Sequence, residues 1–221
     1  MNLDKVFNFI KEKKGYEIPS KYILFKKTIN IVKKLNNNIP LSDDEINYAD
    51  GHFDLSETNI TSLGNLTTVE GNLDLYKTPI KSLGNLKTVG GYLNLYDTPI
   101  KSLGNLTTVE DNLSLGLTQI ESLGNLTTVG GSLSLSETPI KSLGNLTTVG
   151  GGLNLSDTPI ESLGNLTTVG GYLNLGRTPI ESLGNLTTVE GNLDLRETPI
   201  SKKYTEQEIR QMVNVKGKII M

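Results

Sequence analysis

Apolar residues recur with a period of 20 along residues 53–200, and they hold the same places in every unit. In the second unit they are Leu73, Leu75, Ile80, Leu83, Leu86 and Val89. The two leucines of each Leu-x-Leu triplet face one side of a strand, because side chains alternate along it. Each unit also contains glycines and usually a proline, which interrupt helices. The pattern therefore predicts one short strand per unit and argues against a helical repeat.

A strict period places each strand beside its counterpart in the next unit, where the two pair in parallel about 4.8 Å apart. The buried apolar side chains of a coil contribute roughly 1.5–3 kcal/mol each, which must offset the ordering of its backbone. One coil alone is therefore unstable, whereas stacked coils stabilise each other. We predict a mainly β protein, a right-handed parallel β-solenoid of seven to eight 20-residue coils over residues 51–200.

Four further constant positions have local explanations. Gly84 and its equivalents allow a positive φ at a corner of the coil. Thr78 and its equivalents can satisfy backbone groups of a turn with their hydroxyls. Asn85 and its equivalents predict a ladder in which each side-chain amide bonds a neighbouring coil. Pro79 and its equivalents must lie where the stack needs no backbone N–H.

The unit LxLxxTPIxSL resembles the leucine-rich repeat consensus LxLxxNxLxxL, with Thr78 in the usual Asn position and Ile80 in the next Leu position. Its length is similar to that of the short, 20-residue bacterial and viral leucine-rich repeats, a class found in secreted effector proteins. The segment VxGxLxL also resembles the β-helical receptor L domains. The resemblance covers roughly residues 53–200. It implies a solenoid of leucine-rich-repeat type whose ligand surface is the outward face of the strands.

Both ends of the solenoid are expected to carry caps, because an uncovered coil exposes an apolar end face. Residues 1–50 have apolar side chains at helical spacing, which predicts a helical N-terminal cap. Residues 201–221 predict a C-terminal cap made of a helix and an edge strand in the segment VKGKIIM. The helix is expected to open with a capping box between Thr205 and Glu208. Its apolar side chains are Ile209, Met212 and Val213.

The units differ mainly at the outward positions of the strands, so a binding surface is sought there. Tyr76, Tyr92 and Tyr96 fall on two adjacent coils, and tyrosines give a large contact area at low entropic cost. Leu117, apolar where its equivalents are charged, lies one coil further. We predict that these four residues anchor a partner. The polar residues expected around this anchor are Asp74, Asn94 and Asp97, and a second, sparser group consists of Tyr172, Arg177 and Arg196.

A competing interpretation is that the tyrosines only improve the packing of an exposed sheet.

The sequence offers few candidate residues for catalysis. His52 is the only histidine and the chain contains no cysteine, so nucleophile–base pairs and histidine or thiolate metal sites are not supported. We expect no catalytic residues, no metal site and no cofactor. The formal net charge of −3 gives no support for nucleic-acid binding.

The cellular location is expected to be the cytoplasm, of a bacterium or of a virus-infected host. The N-terminus lacks the basic start and apolar run of a secretion signal, and no apolar stretch reaches the length of a membrane span. The absence of cysteine favours a reducing compartment.

We predict a non-catalytic protein–protein interaction module, a scaffold that binds its partner through the exposed face of the Leu-x-Leu strands. The partner is expected to be a protein, with a host protein as one candidate. The chain itself is expected to be a monomer that binds neither nucleic acid nor membranes. One alternative is a carbohydrate-binding adhesin of a cell or virion surface. The other is an ice-binding protein that uses columns of threonines, such as the column of Thr67 and Thr107, which Lys87 interrupts. We expect the paired threonines to lie at a bend between the inward residues Leu66 and Val69.

Overall fold

The computed structural model describes residues 30–39, 41 and 51–221. They form a mainly β structure, a parallel β-solenoid of about seven turns with few helices. The predicted fold class is therefore confirmed. The N-terminal cap expected over residues 1–50 falls largely outside the described residues.

The Leu-x-Leu triplets form the first sheet, which has nine parallel strands. In spatial order the strands are β1 (Phe53–Asp54), β3 (Leu73–Asp74), β5 (Leu93–Asn94), β7 (Leu113–Ser114), β9 (Leu133–Ser134), β11 (Leu153–Asn154), β13 (Leu173–Asn174), β15 (Leu193–Asp194) and β17 (Ile219–Ile220). Their pairing is in register, so that Leu73 pairs with Leu93 and Leu93 with Leu113. The prediction that counterparts of successive coils lie over one another is confirmed.

A second sheet of eight parallel strands comes from the Thr-Val pairs. Its strands are β2 (Thr68–Val69), β4 (Thr88–Val89), β6 (Thr108–Val109), β8 (Thr128–Val129), β10 (Thr148–Val149), β12 (Thr168–Val169), β14 (Thr188–Val189) and β16 (Asn214–Val215). The expectation of a bend at the paired threonines was wrong for the second threonine of each pair. Both residues of Thr68–Val69 are β-branched and suit an extended strand with one side buried.

The core lies inside the coils, between the two sheets. In the second coil it consists of Leu73, Leu75, Ile80, Leu83, Leu86 and Val89, all of them buried. The equivalent residues of the other coils join them in one continuous cluster, in which Phe53 stands in the place of the first leucine. Among the described residues, no buried side-chain nitrogen or oxygen lacks a hydrogen-bond partner.

The constant polar residues and glycines stabilise the corners of each coil. Gly84 has a φ of 61°, as predicted, and so do its equivalents to within a few degrees. The buried Thr78 donates a hydrogen bond of 2.8 Å from Oγ1 to the carbonyl oxygen of Leu75. The expected asparagine ladder is only partly present. Asn105 donates from Nδ2 to the carbonyl of Gly84 in the preceding coil, whereas Asn125 makes the equivalent bond with its backbone N–H.

The C-terminal segment contributes two short helices and the final strands. The helices are α2 (Pro199–Lys203) and α3 (Glu206–Met212). The capping box between Thr205 and Glu208 is confirmed, but Met212 is exposed because Ile209 and Val213 take the buried side of α3. The expected single edge strand is in fact two strands, β16 and β17, one for each sheet.

Residues 30–36 form helix α1, which packs on the first coil. Ile31, Val32 and Leu35 are buried in the common core. Asn36 accepts a hydrogen bond of 2.7 Å from the backbone N–H of Thr61. The described part of the N-terminal segment therefore covers apolar surface of the solenoid.

Candidate binding face

The strand face consists of the outward residues of the first sheet and of the turn that follows each strand. The middle residue of a Leu-x-Leu triplet bonds the backbone two residues later. Asp74 accepts from the N–H of Tyr76 at 2.9 Å, and Asn94 accepts from the N–H of Tyr96 at 3.1 Å. The predicted polar ring residues Asp74 and Asn94 thus position the two tyrosines that were predicted as anchors.

The turn after each strand contains a left-handed residue in every coil. Asp97, Leu117 and Arg177 have φ values of 57°, 57° and 58°, and their equivalents are similar. A non-glycine residue in this region costs about 1–2 kcal/mol. All three were predicted as site residues, and all three project their side chains outward from this turn, where they are exposed.

The structure brings together the tyrosines that were predicted as anchors. The rings of Tyr76 and Tyr96 lie on neighbouring coils with their centroids 6.0 Å apart and their planes tilted by 32°. The phenol of Tyr92 lies near the carboxylate of Asp74, across the coil boundary. The three tyrosines and Asp74 therefore form one cluster on the strand face, which we call the tyrosine cluster.

The tyrosine cluster is acidic at its surface. Partial burial raises the pKa of Tyr92, and the nearby carboxylates of Asp74 and Asp54 raise it further because they disfavour a second negative charge. Lys77 lies 5.0 Å above the centroid of the Tyr76 ring. This contact shows that the ring faces can hold a cation.

Leu117 lies beside the tyrosine cluster and is 47% exposed. A Cβ atom on its neighbour Gly116 would lie 2.9 Å from the ring of Tyr96, so this ring reaches over the glycine of the next coil. An apolar strip therefore runs from Tyr76 over Tyr96 to Leu117, with the charged Asp97 beside it. The residues of the predicted anchor thus lie next to one another on the strand face.

The second predicted group is not part of this cluster. The ring of Tyr172 lies over Gly152 of the preceding coil, where an added Cβ would be too close to it. Arg177 makes two hydrogen bonds of 2.5 Å and 2.6 Å to Asp157, and these bonds lower the pKa of Asp157. Arg196 pairs with Asp194 in the same way on its own coil. Both arginines therefore already have intramolecular partners.

No protein-family model, curated protein or solved structure matches this chain. The fold and the face are therefore described from the molecule alone. Within residues 30–39, 41 and 51–221, no group of three or more acidic or histidine side chains is placed to hold a metal ion. In the same part of the chain, no helix is both long and apolar enough to cross a bilayer.

Sequence reasoning missed a series of bonds that flank the strand face. His52 accepts from the N–H of Asn72, and Asn72 accepts from the N–H of Tyr92, so side chains link coil to coil. The link stops at Tyr92, which stands in place of a short acceptor side chain. The signal was available as the run of acceptor side chains at positions 52, 72, 112 and 132, which tyrosine at 92 interrupts.

Proposed function

We propose that the protein is a binding module that recognises a protein partner through the strand face, with the tyrosine cluster and Leu117 as the anchor. One observation carries this proposal. The tilted pair Tyr76–Tyr96, the ring of Tyr92 and the exposed Leu117 lie together on the strand face, whereas Tyr172 stands apart from them. Aromatic anchors surrounded by polar side chains are typical of protein-binding hot spots.

We further propose that the solenoid is of the leucine-rich-repeat type. Support comes from the LxLxxT unit, whose leucines are buried, and from the threonine at the usual asparagine position. Thr78 bonds the carbonyl of Leu75 within its own coil. The proposal would place the ligand on the face of the Leu-x-Leu strands, which is where the tyrosine cluster lies.

The test is affinity capture with the full chain and with a double variant, Tyr92→Ala plus Tyr96→Ala. Tyr96 is exposed and Tyr92 is half-buried, so we expect the double variant to fold with a slightly lower thermal unfolding midpoint. The matched control is Met212→Ala, which removes a large exposed side chain at the other end of the molecule. We expect proteins that are captured by the unmodified chain and by the control but are lost with the double variant, as identified by mass spectrometry. Equal capture by all three proteins would contradict the proposal that Tyr92 and Tyr96 anchor the partner.

A carbohydrate ligand is the second candidate, because exposed ring faces next to carboxylate and amide groups also suit a sugar. Tyr96 with Asn94, and Tyr92 with Asp74, provide such pairs. A glycan array probed with the same three proteins separates the two candidates. Glycan binding that the double variant loses, without any captured protein, would support an adhesin in place of a protein-binding module.

The ice-binding alternative has less structural support. Thr127 and Thr147 donate their hydroxyl hydrogens to backbone carbonyls of the preceding coil, and Thr107 bonds Lys87 in the same way. These hydroxyls thus have a structural role within the stack. A measurement of thermal hysteresis during freezing tests this alternative directly.

A further inference from the structure

A column of charged residues runs along a side of the solenoid that the proposed function does not use. It lies two residues after the proline position of each coil, between the two sheets. We call it the charge column, and its residues are Lys81, Lys101, Glu121, Lys141, Glu161 and Glu181. All six are exposed.

In most coils the charged side chain of the column stands between two shorter side chains. The flanking residues are prolines such as Pro99 and serines such as Ser102, which are short. The serine side chains are folded back on the corner, since Ser102 accepts from the N–H of Gly104 at 3.1 Å and Ser122 accepts from that of Gly124 at 3.0 Å. A flat surface approaching this side would therefore meet the charged groups first.

The order of the charges is self-complementary when the column is reversed. Read from the first coil to the last, the signs are plus, plus, minus, plus, minus, minus. A two-fold axis between the coils of Glu121 and Lys141 places each residue opposite one of opposite charge. The facing pairs are Lys81 with Glu181, Lys101 with Glu161 and Glu121 with Lys141, each occurring twice. We propose that a second copy of this chain docks antiparallel on the charge column.

The geometry selects the antiparallel arrangement. Two rods can face each other through a two-fold axis along the rod or across it, and both give isologous contacts. The axis along the rod would place each charge opposite the same charge, for example Lys81 opposite Lys81. Only the axis across the rod pairs all six positions with the opposite sign. The six residues span about 24 Å at the usual strand spacing, the same in both copies.

Another charged column of the solenoid lacks this property. The same reversal applied to the left-handed turn positions places Lys77 opposite Arg177 and Asp97 opposite Asp157, which are pairs of like charge. Self-complementarity therefore belongs to the charge column and is not a general result of the repeat. The strand face, with its tyrosine cluster, stays accessible in the dimer because it lies on a different side of each coil.

The contacts within one chain leave the column available for such docking. Lys101 lies 3.2 Å from Glu121 and Lys141 lies 3.7 Å from Glu161, but these side chains remain 62–70% exposed. Among the described residues, no ion-pair partner is found for Lys81 or Glu181, at the two ends of the column. Docking would give both of them a partner.

The dimer is expected to be weak and sensitive to salt. The contact is a narrow strip, and exposed ion pairs are weakened by counterions. The chain was expected to be a monomer, and under this proposal it is one only at low protein concentration or at high salt. Sedimentation velocity of the full chain at ionic strengths of about 0.05 M and about 0.5 M should show a dimer at the lower value and largely monomer at the higher one. A chain that stays monomeric at low salt up to about 1 mM, where even weak complexes form, would overturn the proposal.

Charge reversal provides the decisive variants. The first variant, Lys81→Glu plus Lys101→Glu, places like charges opposite each other at four of the six positions. We expect its dissociation constant to rise by at least about tenfold, since opposed like charges are strongly unfavourable. The second variant, Glu161→Lys plus Glu181→Lys, should lose dimerisation equally. The variant that combines all four substitutions is again self-complementary and should recover the dimer.

Mixing provides a further test, because the first and second variants are complementary to each other at all six positions. We expect two proteins that are monomeric alone to form a heterodimer when mixed. The matched control is Lys216→Glu plus Lys218→Glu, which makes the same change in net charge at exposed residues outside the column. Unfolding curves of each variant report on folding. An unchanged dissociation constant in the charge-reversal variants would contradict docking through the charge column. Loss of the dimer in the control variant would contradict it as well.

Discussion

The two sheets enclose the same core, but they differ on the side that faces solvent. Inside, each repeats one buried residue type, leucine in the first sheet and valine in the second. Outside, the second sheet presents threonine in every coil from Thr68 to Thr188, whereas the first sheet presents aspartate, asparagine or serine. Packing alone cannot explain this difference, because both inner surfaces are equally constant.

Strand conformation accounts for part of it, because β-branched threonine suits an extended residue of a strand whose other side is buried. The surroundings of the two sheets also differ in hydrogen bonding. Beside the second sheet, Thr147 and Thr167 donate to carbonyls of the preceding coil, so that the bonds run from coil to coil. On the first sheet the bond stays within one coil, as where Asn154 accepts from the N–H of Ser156. The outward positions of the first sheet vary between coils, so this is the sheet on which a recognition surface can change.

Truncation of core residues should show that both sheets enclose one core. We expect Leu153→Ala to lower the free energy of unfolding by about 2–5 kcal/mol, and Val149→Ala by about 1–3 kcal/mol, because both side chains are fully buried and leave a cavity. Urea unfolding followed by circular dichroism measures both. An unchanged free energy of unfolding in Val149→Ala would mean that the second sheet does not share the core.

The corner after the Leu-x-Leu strand should be the next most sensitive place. Thr138 is buried and donates to the carbonyl of Leu135 at 2.7 Å. Thr138→Val keeps the shape but leaves that carbonyl unsatisfied, so we expect a loss of about 1–3 kcal/mol. Thr138→Ser keeps the donor and serves as the control, which should retain most of the stability. Equal losses in the two variants would assign the effect to packing.

The bonds on the two outer surfaces can be compared directly. Thr147→Val removes a bond of 3.0 Å to the carbonyl of Thr127 and should cost about 0.5–1.5 kcal/mol. Asn154→Ala removes a bond within one coil at the surface and should change stability by less than about 0.5 kcal/mol. Unfolding in urea gives both values. The reverse order would mean that the bonds between coils stabilise the chain less than the bonds within one coil.

A substitution at Leu117 should separate stability from binding. Its φ of 57° is unfavourable for leucine, and glycine removes that strain but adds freedom to the unfolded chain. We expect Leu117→Gly to raise the free energy of unfolding by about 0.5–1 kcal/mol and also to reduce partner capture. A stabilised variant with unchanged capture would indicate that Leu117 contributes nothing to recognition.

The smallest effect concerns the pH response of the tyrosine cluster. The pKa of Tyr92 is raised in the folded chain, so its contribution to stability is present below the usual value near 10 and is lost as the pH rises through the folded value. The difference in phenolate absorbance between the unmodified chain and Tyr92→Phe isolates its titration. Asp74→Asn should move that titration to lower pH, because it removes a negative charge. An unmoved titration would leave burial and the carboxylate of Asp54 as the causes of the raised pKa.

The repeat made the core and its register predictable. Leu73, Leu93 and Leu113 could be aligned from their spacing alone, because a constant period leaves one way to stack the coils. The glycine corner at Gly84 and the capping box at Thr205 followed from residue types with few alternative conformations. The second sheet was missed because each of its strands has a single buried residue, such as Val69 in β2, whereas the Leu-x-Leu triplet shows alternation.

The site could be predicted only in part. The proximity of Tyr76 and Tyr96 follows from their equivalent places in adjacent coils. The approach of the Tyr92 phenol to Asp74 and the pairing of Arg177 with Asp157 depend on side-chain rotamers, which the period does not determine. The left-handed turn at Leu117 was also hidden, because charged residues fill that position in the other coils in place of glycine.

Because the register is uniform along the stack, the number of coils sets the length of the molecule. Each coil offers its neighbours nearly the same upper and lower surfaces, so a gain or loss of one whole unit would change the length by about 4.8 Å and leave the remaining junctions as they are. Unequal recombination between near-identical stretches of the gene would thus change the length of the solenoid in fixed steps. Each step would yield a chain that still folds.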